Sequence, residues 1–239
     1  MGLRHTDTDQ CLYIKGSCKA VTMIALYVDD MAIATKDTAE LKDIKRVLSS
    51  KYKIKDLGEV KHILGMKVTY SEEGIHLSQK AYIDQIINRF NMTDAHPETT
   101  PLPPTAVNLI PTSEEEPQAK TDFPYRECIG SLTYAAVCTR PDIAMAVNLC
   151  ARFVEKPGSL RAIKHVLRYL KGTSTLGICY NHGDLPDLQL KCYVDADSAG
   201  DKAERRSITG FIGLLNGPIF WTSKRQACVT LSSTEAEYV

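Results

Sequence analysis

The stretch Leu26-Tyr27-Val28-Asp29-Asp30-Met31 places two adjacent carboxylates inside an apolar run that extends from Ala20 to Ala34. A run of this kind is typical of a strand, a tight turn and a second strand, with both flanks buried. Asp is a poor strand former and a common turn residue, so the pattern places Asp29 and Asp30 at the tip of a hairpin. Turn chemistry alone accounts for the pair, but rigidly held neighbouring carboxylates are also the ligands that a divalent metal ion needs.

The residues that follow predict two helices separated by a β-hairpin. Apolar residues repeat at helical spacing over 38–51, which indicates an amphipathic helix with an Asp or Thr cap. Alternating apolar residues from His62 to Tyr70, with a turn at 71–74, indicate a hairpin that continues through residue 77. Ser78 is predicted to cap a second helix, whose apolar face is formed by Tyr82, Ile83, Ile86, Ile87 and Phe90.

The composition changes between His96 and Pro124, where seven of the eleven prolines fall. We interpret this segment as an irregular, Pro-rich linker. Helices are predicted to resume over Tyr125–Cys138, again from Pro141, and a third time from about Ser159 to Lys171.

The third of these helices carries a row of basic side chains opposite its apolar face. They are spaced three or four residues apart, which places them on one side of the helix: Arg161, Lys164, Arg168 and Lys171. Such a row is most often a solvated surface, but cations without an intervening acid also suit contact with phosphate groups.

The C-terminal region is predicted to be rich in β-structure. Strands are indicated over 190–195, 209–215 and 218–223, and Asn216-Gly217 is a strong signal for a hairpin between the last two. Serines followed by glutamates at 232–237 predict the start of a helix. An isolated first turn of a helix is unstable, so we expect these residues to be a piece of a longer protein.

The composition excludes a strong electrostatic field from net charge, and the sequence excludes a membrane-spanning segment. Lys and Arg together number 29, as do Asp and Glu, so any binding of nucleic acid must come from local patches. The eight cysteines show neither a Cys-x-x-Cys pair nor zinc-finger spacing, which predicts buried free thiols in a reducing compartment. No apolar run is long enough for a membrane span or a signal peptide, so no membrane partner is expected.

A set of motifs in fixed order resembles the Pol polyprotein of copia-type LTR retrotransposons. The resemblance covers nearly the whole chain. Its motifs are Tyr27-Val28-Asp29-Asp30, Asp56-Leu57-Gly58-Glu59, Leu64-Gly65-Met66, Tyr125-Arg126-Glu127 with Ile129-Gly130-Ser131-Leu132, Thr139-Arg140-Pro141-Asp142-Ile143-Ala144, Arg168-Tyr169-Leu170-Lys171-Gly172-Thr173, Asp195-Ala196-Asp197, and Ser232-Ser233-Thr234-Glu235-Ala236-Glu237-Tyr238.

The resemblance implies an α+β fold, with the end of a reverse transcriptase palm, thumb and connection helices, and a truncated ribonuclease H-like β-sheet. The implied domains are the C-terminal palm and thumb (1–95), the Pro-rich linker (96–124), the helical connection region (125–188) and the truncated ribonuclease H-like domain (189–239).

The resemblance also implies site residues for two reactions. Asp29 and Asp30 match the catalytic, metal-binding pair of the polymerase. Asp195 matches the first carboxylate of the ribonuclease H. Glu237 is expected to be the second, in preference to Glu235, because the helix glutamate of that superfamily precedes a pair of apolar residues.

Nucleic-acid contacts are implied for two further segments. Leu64-Gly65-Met66 resembles the segment that holds the primer end. The basic helix is expected to face nucleic acid through Arg161, Lys164, Arg168 and Lys171.

Cofactor, partners and location follow from the same resemblance. Both reactions use two divalent ions about 4 Å apart, so Mg²⁺ or Mn²⁺ is the implied cofactor. The implied partners are an RNA template, a DNA primer, an RNA–DNA hybrid and other parts of the Pol polyprotein. The implied location is the cytoplasm, in a virus-like particle, and the nucleus.

Both implied active sites are incomplete within these residues. The polymerase needs a further Asp upstream that residues 1–19 do not match, and the ribonuclease H needs acids beyond Glu237. We therefore expect the chain to be inactive alone and to expose apolar surface on the opening hairpin and the terminal sheet. Two alternatives stay open: a non-catalytic RNA–DNA-binding module, and an unrelated metal-dependent phosphohydrolase built around Asp195-Ala196-Asp197.

Overall fold

Helices and antiparallel sheets are combined in the computed structural model, which confirms the α+β class. The structure describes residues 2–17, 20–103, 122–154, 160–183, 189–197 and 206–238. The chain divides into two compact units, Met1–Ile63 and Leu64–Val239. Residues 64–95, which the sequence analysis grouped with the preceding segment, thus belong to the second unit.

The first unit contains an antiparallel sheet whose four strands follow one another in chain order. Its elements are β1 (Arg4–His5), β2 (Leu12–Ser17), β3 (Ala20–Tyr27), β4 (Asp30–Ala34), α1 (Thr38–Lys51) and β5 (His62–Ile63). The predicted helix over 38–51 and the hairpin around Asp29 are therefore confirmed.

The core of the first unit lies between α1 and one face of this sheet. Tyr13, Ile24 and Ile33 are cross-strand neighbours and share that face. Ile44 and Leu48 of α1 pack against it, and together with Ile24 they are buried. The apolar residues that recur at helical spacing on α1 thus pack against the apolar residues that alternate along the strands.

Glu40 fastens α1 to the sheet. The ammonium group of Lys15 lies 2.6 Å from its carboxylate, and the hydroxyl of Thr22 donates a second hydrogen bond to it. These hydrogen bonds, the one from Lys15 first, hold the pKa of Glu40 below its usual value. The carboxylate of Asp37 caps the first turn of α1, because it accepts hydrogen bonds from the N–H groups of Ala39 at 2.8 Å and of Glu40 at 3.2 Å.

The prediction that both flanks of the Asp pair are buried is wrong. Only Thr22 and Ile24 of β3 are buried, whereas Met23 is 42% and Tyr27 59% exposed. The reason is that α1 covers a single face of the sheet, so every second side chain of β3 lies on the uncovered face. This exposed apolar surface agrees with the expectation for the opening hairpin.

The second unit contains two further antiparallel sheets and five helices within the described residues. Its elements are β6 (Met66–Tyr70), β7 (Gly74–Ser78), α2 (Lys80–Arg89), α3 (Tyr125–Cys138), a 3₁₀ turn (Pro141–Ile143), α4 (Ala144–Ala151), α5 (Leu160–Gly172), β8 (Gly177–Asn181), β9 (Lys191–Asp197), β10 (Ile208–Leu214), β11 (Pro218–Arg225) and α6 (Ser233–Tyr238).

Strand β8 is a long-range partner that the sequence analysis did not predict. It pairs antiparallel with β7, with Ile75 opposite Tyr180 and Gly74 opposite Asn181. Gly74 has a φ of 152°, and a Cβ at this position would lie 2.0 Å from the carbonyl oxygen of Tyr180. Only glycine therefore allows the two strands to approach this closely.

One large apolar core joins α2, α3, α4 and α5. The side chains at its centre are fully buried: Ile83, Leu132, Ile143, Ile163, Val166, Leu167 and Leu170. Six of them come from α2, α3 and α5, and Ile143 comes from the 3₁₀ turn. The apolar face predicted for the second helix is confirmed, because Ile83, Ile86 and Ile87 of α2 are buried. Among the helices of the described ranges, none combines the length and the hydrophobicity that a membrane crossing requires.

The predicted cap of α2 is wrong by one residue. Ser78 is the last residue of β7, where it pairs with Gly177, and the helix begins after Gln79. Gln79 makes no side-chain capping bond. Its buried amide oxygen instead accepts a hydrogen bond of 2.7 Å from the hydroxyl of Thr139, which connects α2 to the end of α3.

An ion pair between the buried Arg140 and the partly exposed Asp142 fixes the chain between α3 and α4 to the end of α5. Arg140 is only 1% exposed, and its guanidinium donates to both carboxylate oxygens of Asp142, with the shortest contact at 2.7 Å. It also donates to the carbonyl oxygen of Thr173 at 2.9 Å and to its hydroxyl at 2.7 Å. Tyr169 completes the group, because its hydroxyl donates to Asp142 at 2.8 Å and its ring lies 5.5 Å from the guanidinium carbon. We call these four residues the Arg140 cluster.

Charge and burial act in opposite directions on Asp142. Burial favours the neutral carboxyl, but the hydrogen bonds and the positive charge of Arg140 outweigh it, so the pKa of Asp142 lies below its usual value of 3.8. The ionised form is therefore the one that stabilises the fold, and its contribution is present near neutral pH and is lost as the pH falls through the lowered pKa.

We predict that Asp142→Asn lowers the free energy of unfolding by about 2 kcal/mol near neutral pH, because it leaves the buried guanidinium of Arg140 without a counter-ion. This is below the full cost of breaking a buried pair, since the Asp142 side chain is 33% exposed. The difference between the two proteins should shrink as the pH falls below 3.8. Urea unfolding from pH 7 to pH 3 measures both effects.

The control for this experiment is Asp84→Asn, which removes an exposed carboxylate that pairs with Lys80 on α2. Surface pairs of this kind contribute less than about 1 kcal/mol, so this variant should remain close to the wild type. A loss for Asp142→Asn that is no larger than that of the control, or that does not change with pH, contradicts the assignment.

Candidate functional site

The Asp29-Asp30 pair lies on a strained two-residue turn. Tyr27 and Asp30 are the last paired residues of β3 and β4, so Val28 and Asp29 form the loop. Val28 has a φ of 52° and is 89% exposed. The left-handed conformation is unfavourable for a β-branched residue, and turns of this kind usually place Gly or Asn there. Backbone strain of this type is concentrated at functional sites.

Two exposed carboxylates therefore project from a short, defined turn. Asp29 and Asp30 are both exposed, so each can reach a ligand in solvent. Within the described ranges, no group of three or more His, Cys, Asp or Glu side chains is placed to hold a metal ion. The turn can supply two oxygen ligands from adjacent residues, and a metal ion would need its remaining ligands from elsewhere.

The second pair of predicted carboxylates lies where α6 meets the edge strand β9. Asp195 is an exposed residue of β9, opposite Gly210 of β10. Glu237 of α6 accepts a hydrogen bond of 3.4 Å from the N–H of Ala196, the residue that follows Asp195. The structure thus brings Glu237 to the backbone beside Asp195, although the two elements are far apart in sequence.

Glu235 has a different role from Glu237. Its carboxylate accepts the N–H of Leu231 at 2.7 Å, and its own N–H donates to the hydroxyl of Ser232 at 3.1 Å. This is a reciprocal cap at the start of α6, of the type that the serine and glutamate spacing predicts. Glu235 therefore stabilises the helix that positions Glu237.

Gln226 holds α6 against the sheet. Its amide donates to the carbonyl oxygen of Ala236 at 2.6 Å and to the hydroxyl of Thr209 at 2.9 Å. Both Gln226 and Ala236 are buried. The sequence analysis gave Gln226 no role, and no local motif marks it, because both of its partners are distant in sequence.

A cavity of about 490 Å³ lies between the β9–β11 sheet and the start of α4. Asp195 and Asp197 line it from β9, while Pro141, Asp142 and Met145 line the opposite wall. The Arg140 cluster therefore fixes one wall of the cavity that Asp195 faces. Asn148 donates a hydrogen bond to the carbonyl oxygen of Ser223, and Trp221 donates one of 2.8 Å to that of Ala136, so both walls are joined directly.

The Leu64-Gly65-Met66 segment is a tight turn that interrupts the strand predicted from His62 to Tyr70. Leu64 and Gly65 have φ values of 49° and 70°, which a continuous strand does not allow. The hydroxyl of Tyr134 on α3 donates to the carbonyl oxygen of Leu64, and the Tyr134 ring packs edge-on against Tyr82 at 5.0 Å. The turn is thus anchored to the helical core.

The basic row on α5 is divided between two environments. Arg168 donates to the carbonyl oxygen of His96 at 2.6 Å and pairs with Glu98 at 2.7 Å. Lys171 donates to the carbonyl oxygens of Thr93 and Ala95. In this structure both cations are bonded to segment 93–100, which we call the strap, and their predicted contact with nucleic acid stays a prediction.

Arg161 and Lys164 lie one to two turns earlier on α5 and are exposed. They keep the position that the sequence analysis predicted for contact with phosphate groups.

The described residues of the linker predicted over 96–124 are irregular, as expected, but the strap is packed against α5. Glu98 donates its N–H to the carbonyl oxygen of Arg168 at 3.3 Å, and a Cβ on Gly172 would lie 3.0 Å from that of Pro97. Charge-assisted hydrogen bonds to carbonyl groups, and a glycine that admits a proline, hold this part of the segment against α5. Residues 104–121 of the predicted linker lie outside the described residues.

Comparison with known proteins identifies relatives for the entire chain. A family model described as reverse transcriptase (RNA-dependent DNA polymerase) matches residues 1–104. The Pol polyprotein of transposon TNT 1-94 from Nicotiana tabacum is 43% identical over 98% of this chain and 18% of its own length. That of transposon RE1 from Arabidopsis thaliana is 39% identical over 100% of this chain and 16% of its own length. The chain thus spans less than a fifth of each of these polyproteins.

A shorter relative is covered more completely. The putative transposon Ty5-1 protein of Saccharomyces cerevisiae is 33% identical over 100% of this chain and 78% of its own length. No solved structure matches the chain.

We predict that Val28→Asn raises the free energy of unfolding of the first unit by about 1 kcal/mol, because Asn tolerates the left-handed conformation that strains Val. Urea unfolding followed by circular dichroism measures the change. Ile54→Asn is the matched control, since Ile54 is a β-branched residue of the same unit, is 42% exposed and is not among the residues with positive φ. Equal effects of the two substitutions, or a loss of stability in Val28→Asn, would argue against strain at this turn.

Proposed function

Because this chain belongs to the reverse transcriptase family of copia-type retrotransposon Pol polyproteins, we propose that it contributes the catalytic hairpin of an RNA-directed DNA polymerase and the first carboxylates of a ribonuclease H. The observation that carries the proposal is the exposed Asp29-Asp30 pair on its strained turn, inside the region that matches the reverse transcriptase model. The activity, substrates and partners of the whole polyprotein are part of this proposal.

The donor set at the hairpin suits Mg²⁺ or Mn²⁺. Adjacent carboxylates are hard oxygen ligands, and their turn is held by the paired strands β3 and β4. The chemistry that a bound pair of such ions supplies is polarisation of the attacking and leaving oxygens at a phosphodiester. The role of this chain is to present Asp29 and Asp30 at fixed positions, with their side chains in solvent and with a third carboxylate supplied from outside these residues.

For the ribonuclease H, we propose that Asp195 and Glu237 are the first two catalytic carboxylates. The hydrogen bond from Ala196 holds Glu237 beside β9, and the cap made by Glu235 fixes the helix that carries it. Further acids of that site would come from outside these residues. The proposed substrate is the RNA strand of an RNA–DNA hybrid.

The proposed nucleic-acid contacts lie in two segments, the turn at 64–66 and the helix α5. Leu64-Gly65-Met66 holds the primer end, and its anchor on Tyr134 gives it a defined position relative to α3. Arg161 and Lys164 are the proposed phosphate contacts of α5. Arg168 and Lys171 position the strap, and would join them only if the strap moved away.

A binding module without catalysis is the second candidate function. It is favoured by the two cations of α5 that stay exposed, Arg161 and Lys164. In this case the chain would bind an RNA–DNA hybrid but would not extend a primer.

The test uses the tobacco TNT 1-94 polyprotein with these 239 residues in place of its own matching segment. We predict that Asp29→Asn lowers RNA-templated DNA synthesis more than about a hundredfold and spares ribonuclease H activity, because it removes a metal ligand from one site only. Glu237→Gln should have the reverse effect. Primer extension and hybrid cleavage are measured on the same preparations.

Asp84→Asn is the control and should leave both activities unchanged. Loss of both activities in each variant would show a structural effect, and retention of DNA synthesis in Asp29→Asn would overturn the proposed polymerase role. The 239 residues alone should incorporate no nucleotide with Mg²⁺ or Mn²⁺. Incorporation that disappears in Asp29→Asn would instead show that the third carboxylate lies within them.

A further inference from the structure

A second cavity lies at the junction of α2, α3 and α5, and its lining shares no residue with that of the cavity beside Asp195. Its volume is about 310 Å³, at the lower end of the range for small-molecule sites. Its lining consists of three short segments, and the residues are Arg89, Phe90, Asn91, Met92, Asp122, Phe123, Pro124 and Lys164.

Two cations of this cavity lie over aromatic rings. The guanidinium carbon of Arg89 is 5.7 Å from the centre of the Phe90 ring, and the ammonium nitrogen of Lys164 is 5.8 Å from the centre of the Phe123 ring. Cation–π contacts of this length hold the charges over the rings while the side chains stay exposed. The cavity thus presents positive charge beside flat apolar surface.

The aromatic floor is built into the core. Phe90 is only 4% exposed, and its ring centre is 5.7 Å from that of Phe123 at an angle of 42° between the planes. Phe123 is partly buried and packs against the same core cluster. The rings are therefore fixed before any ligand arrives, which reduces the entropy cost of stacking on them.

The charge of the lining is positive. Arg89 and Lys164 face a single carboxylate, that of Asp122. Glu127 lies outside the lining and pairs with Arg89 at 2.6 Å, so the phosphate of a ligand is assigned to Lys164. Arg161 precedes Lys164 by three residues on the same side of α5 and extends the basic surface beyond the cavity.

We infer that this cavity binds one nucleotide of a single-stranded nucleic acid, with its phosphate at Lys164 and its base on Phe123. The inference rests on the proposed function, since it specifies where the nucleic acid contacts this region. Positive charge next to an aromatic surface is the combination that single-strand binding uses. A base within a duplex cannot enter a cavity of this size without leaving its stack, so the ligand is a single strand.

The strap explains why the contact is confined to this end of α5. Arg168 and Lys171 are already bound to carbonyl groups and to Glu98. Only the N-terminal half of the basic row is therefore available, and this half is the part that borders the cavity.

The test measures binding of the whole chain to fluorescein-labelled (dT)₁₂ and to an RNA–DNA hybrid of the same length, by fluorescence anisotropy at several salt concentrations. Lys164→Ala should weaken binding of the single strand about threefold to tenfold and reduce the slope of log affinity against log salt by about 0.7, the value for one phosphate contact. Phe123→Leu should weaken it about tenfold without changing the slope, because stacking is not ionic.

Asp122→Asn should strengthen binding of the single strand about twofold to threefold, since it removes the only acid among the described residues of the lining. A gain in affinity cannot result from a folding defect. The matched controls are Lys80→Ala and Asp84→Asn, which remove an exposed pair on α2, and Phe153→Leu, whose ring also lies beneath a cation, with the guanidinium carbon of Arg152 at 5.6 Å, but outside the cavity.

The outcomes separate this inference from the proposed function. If the wild type binds nucleic acid but the three cavity variants behave like their controls, the cavity is not the site and the proposed function stands. If the wild type binds neither probe at any salt concentration, the proposed nucleic-acid contacts fail as well. Opposite effects of Lys164→Ala and Asp122→Asn on the single strand support the cavity.

Discussion

Burial of the Arg140 guanidinium is the constraint on which the second unit depends. A buried cation requires a counter-ion and hydrogen-bond acceptors, and Asp142 and Thr173 supply them from two chain segments. Asp142 lies in the sequence motif that begins at Thr139, and Thr173 lies in the motif that begins at Arg168. The two motifs are far apart in the sequence but contact each other in the fold. The cost of leaving this charge unpaired holds the start of α4 against the end of α5.

Helix α5 connects this cluster to the functional surfaces. Its Tyr169 contributes to the Arg140 cluster, while Arg168 and Lys171 hold the strap and Lys164 borders the smaller cavity. Through Asp142, the same cluster fixes one wall of the cavity that Asp195 faces. A basic row that looks uniform in sequence therefore has two uses: packing of the strap and the proposed contact with nucleic acid.

Local pattern predicts the elements of this fold better than it predicts their partners. The bounds of α1 and α3 and the turn at Asn216-Gly217 follow from spacing and turn chemistry, and the structure has them as predicted. Strand β8 and the strap were not predicted, because both are defined by residues far away in sequence. Periodicity placed Arg168 on a polar face but could not show that a carbonyl-rich segment covers it. At the candidate sites, the Asp29-Asp30 turn is recognisable from sequence, whereas the contact between Glu237 and Ala196 requires the fold.

Native-state hydrogen exchange tests the central claim, that the Arg140 cluster is part of the cooperative core of the second unit. The N–H groups of Arg140 and Thr173 are bonded to Ala135 and Tyr169 at 3.1 Å and 3.0 Å. The account predicts that both exchange only through global unfolding, with protection within about 1 kcal/mol of that of Leu132 in the centre of α3. Exchange of Arg140 and Thr173 through local opening, at free energies well below that of Leu132, would contradict it.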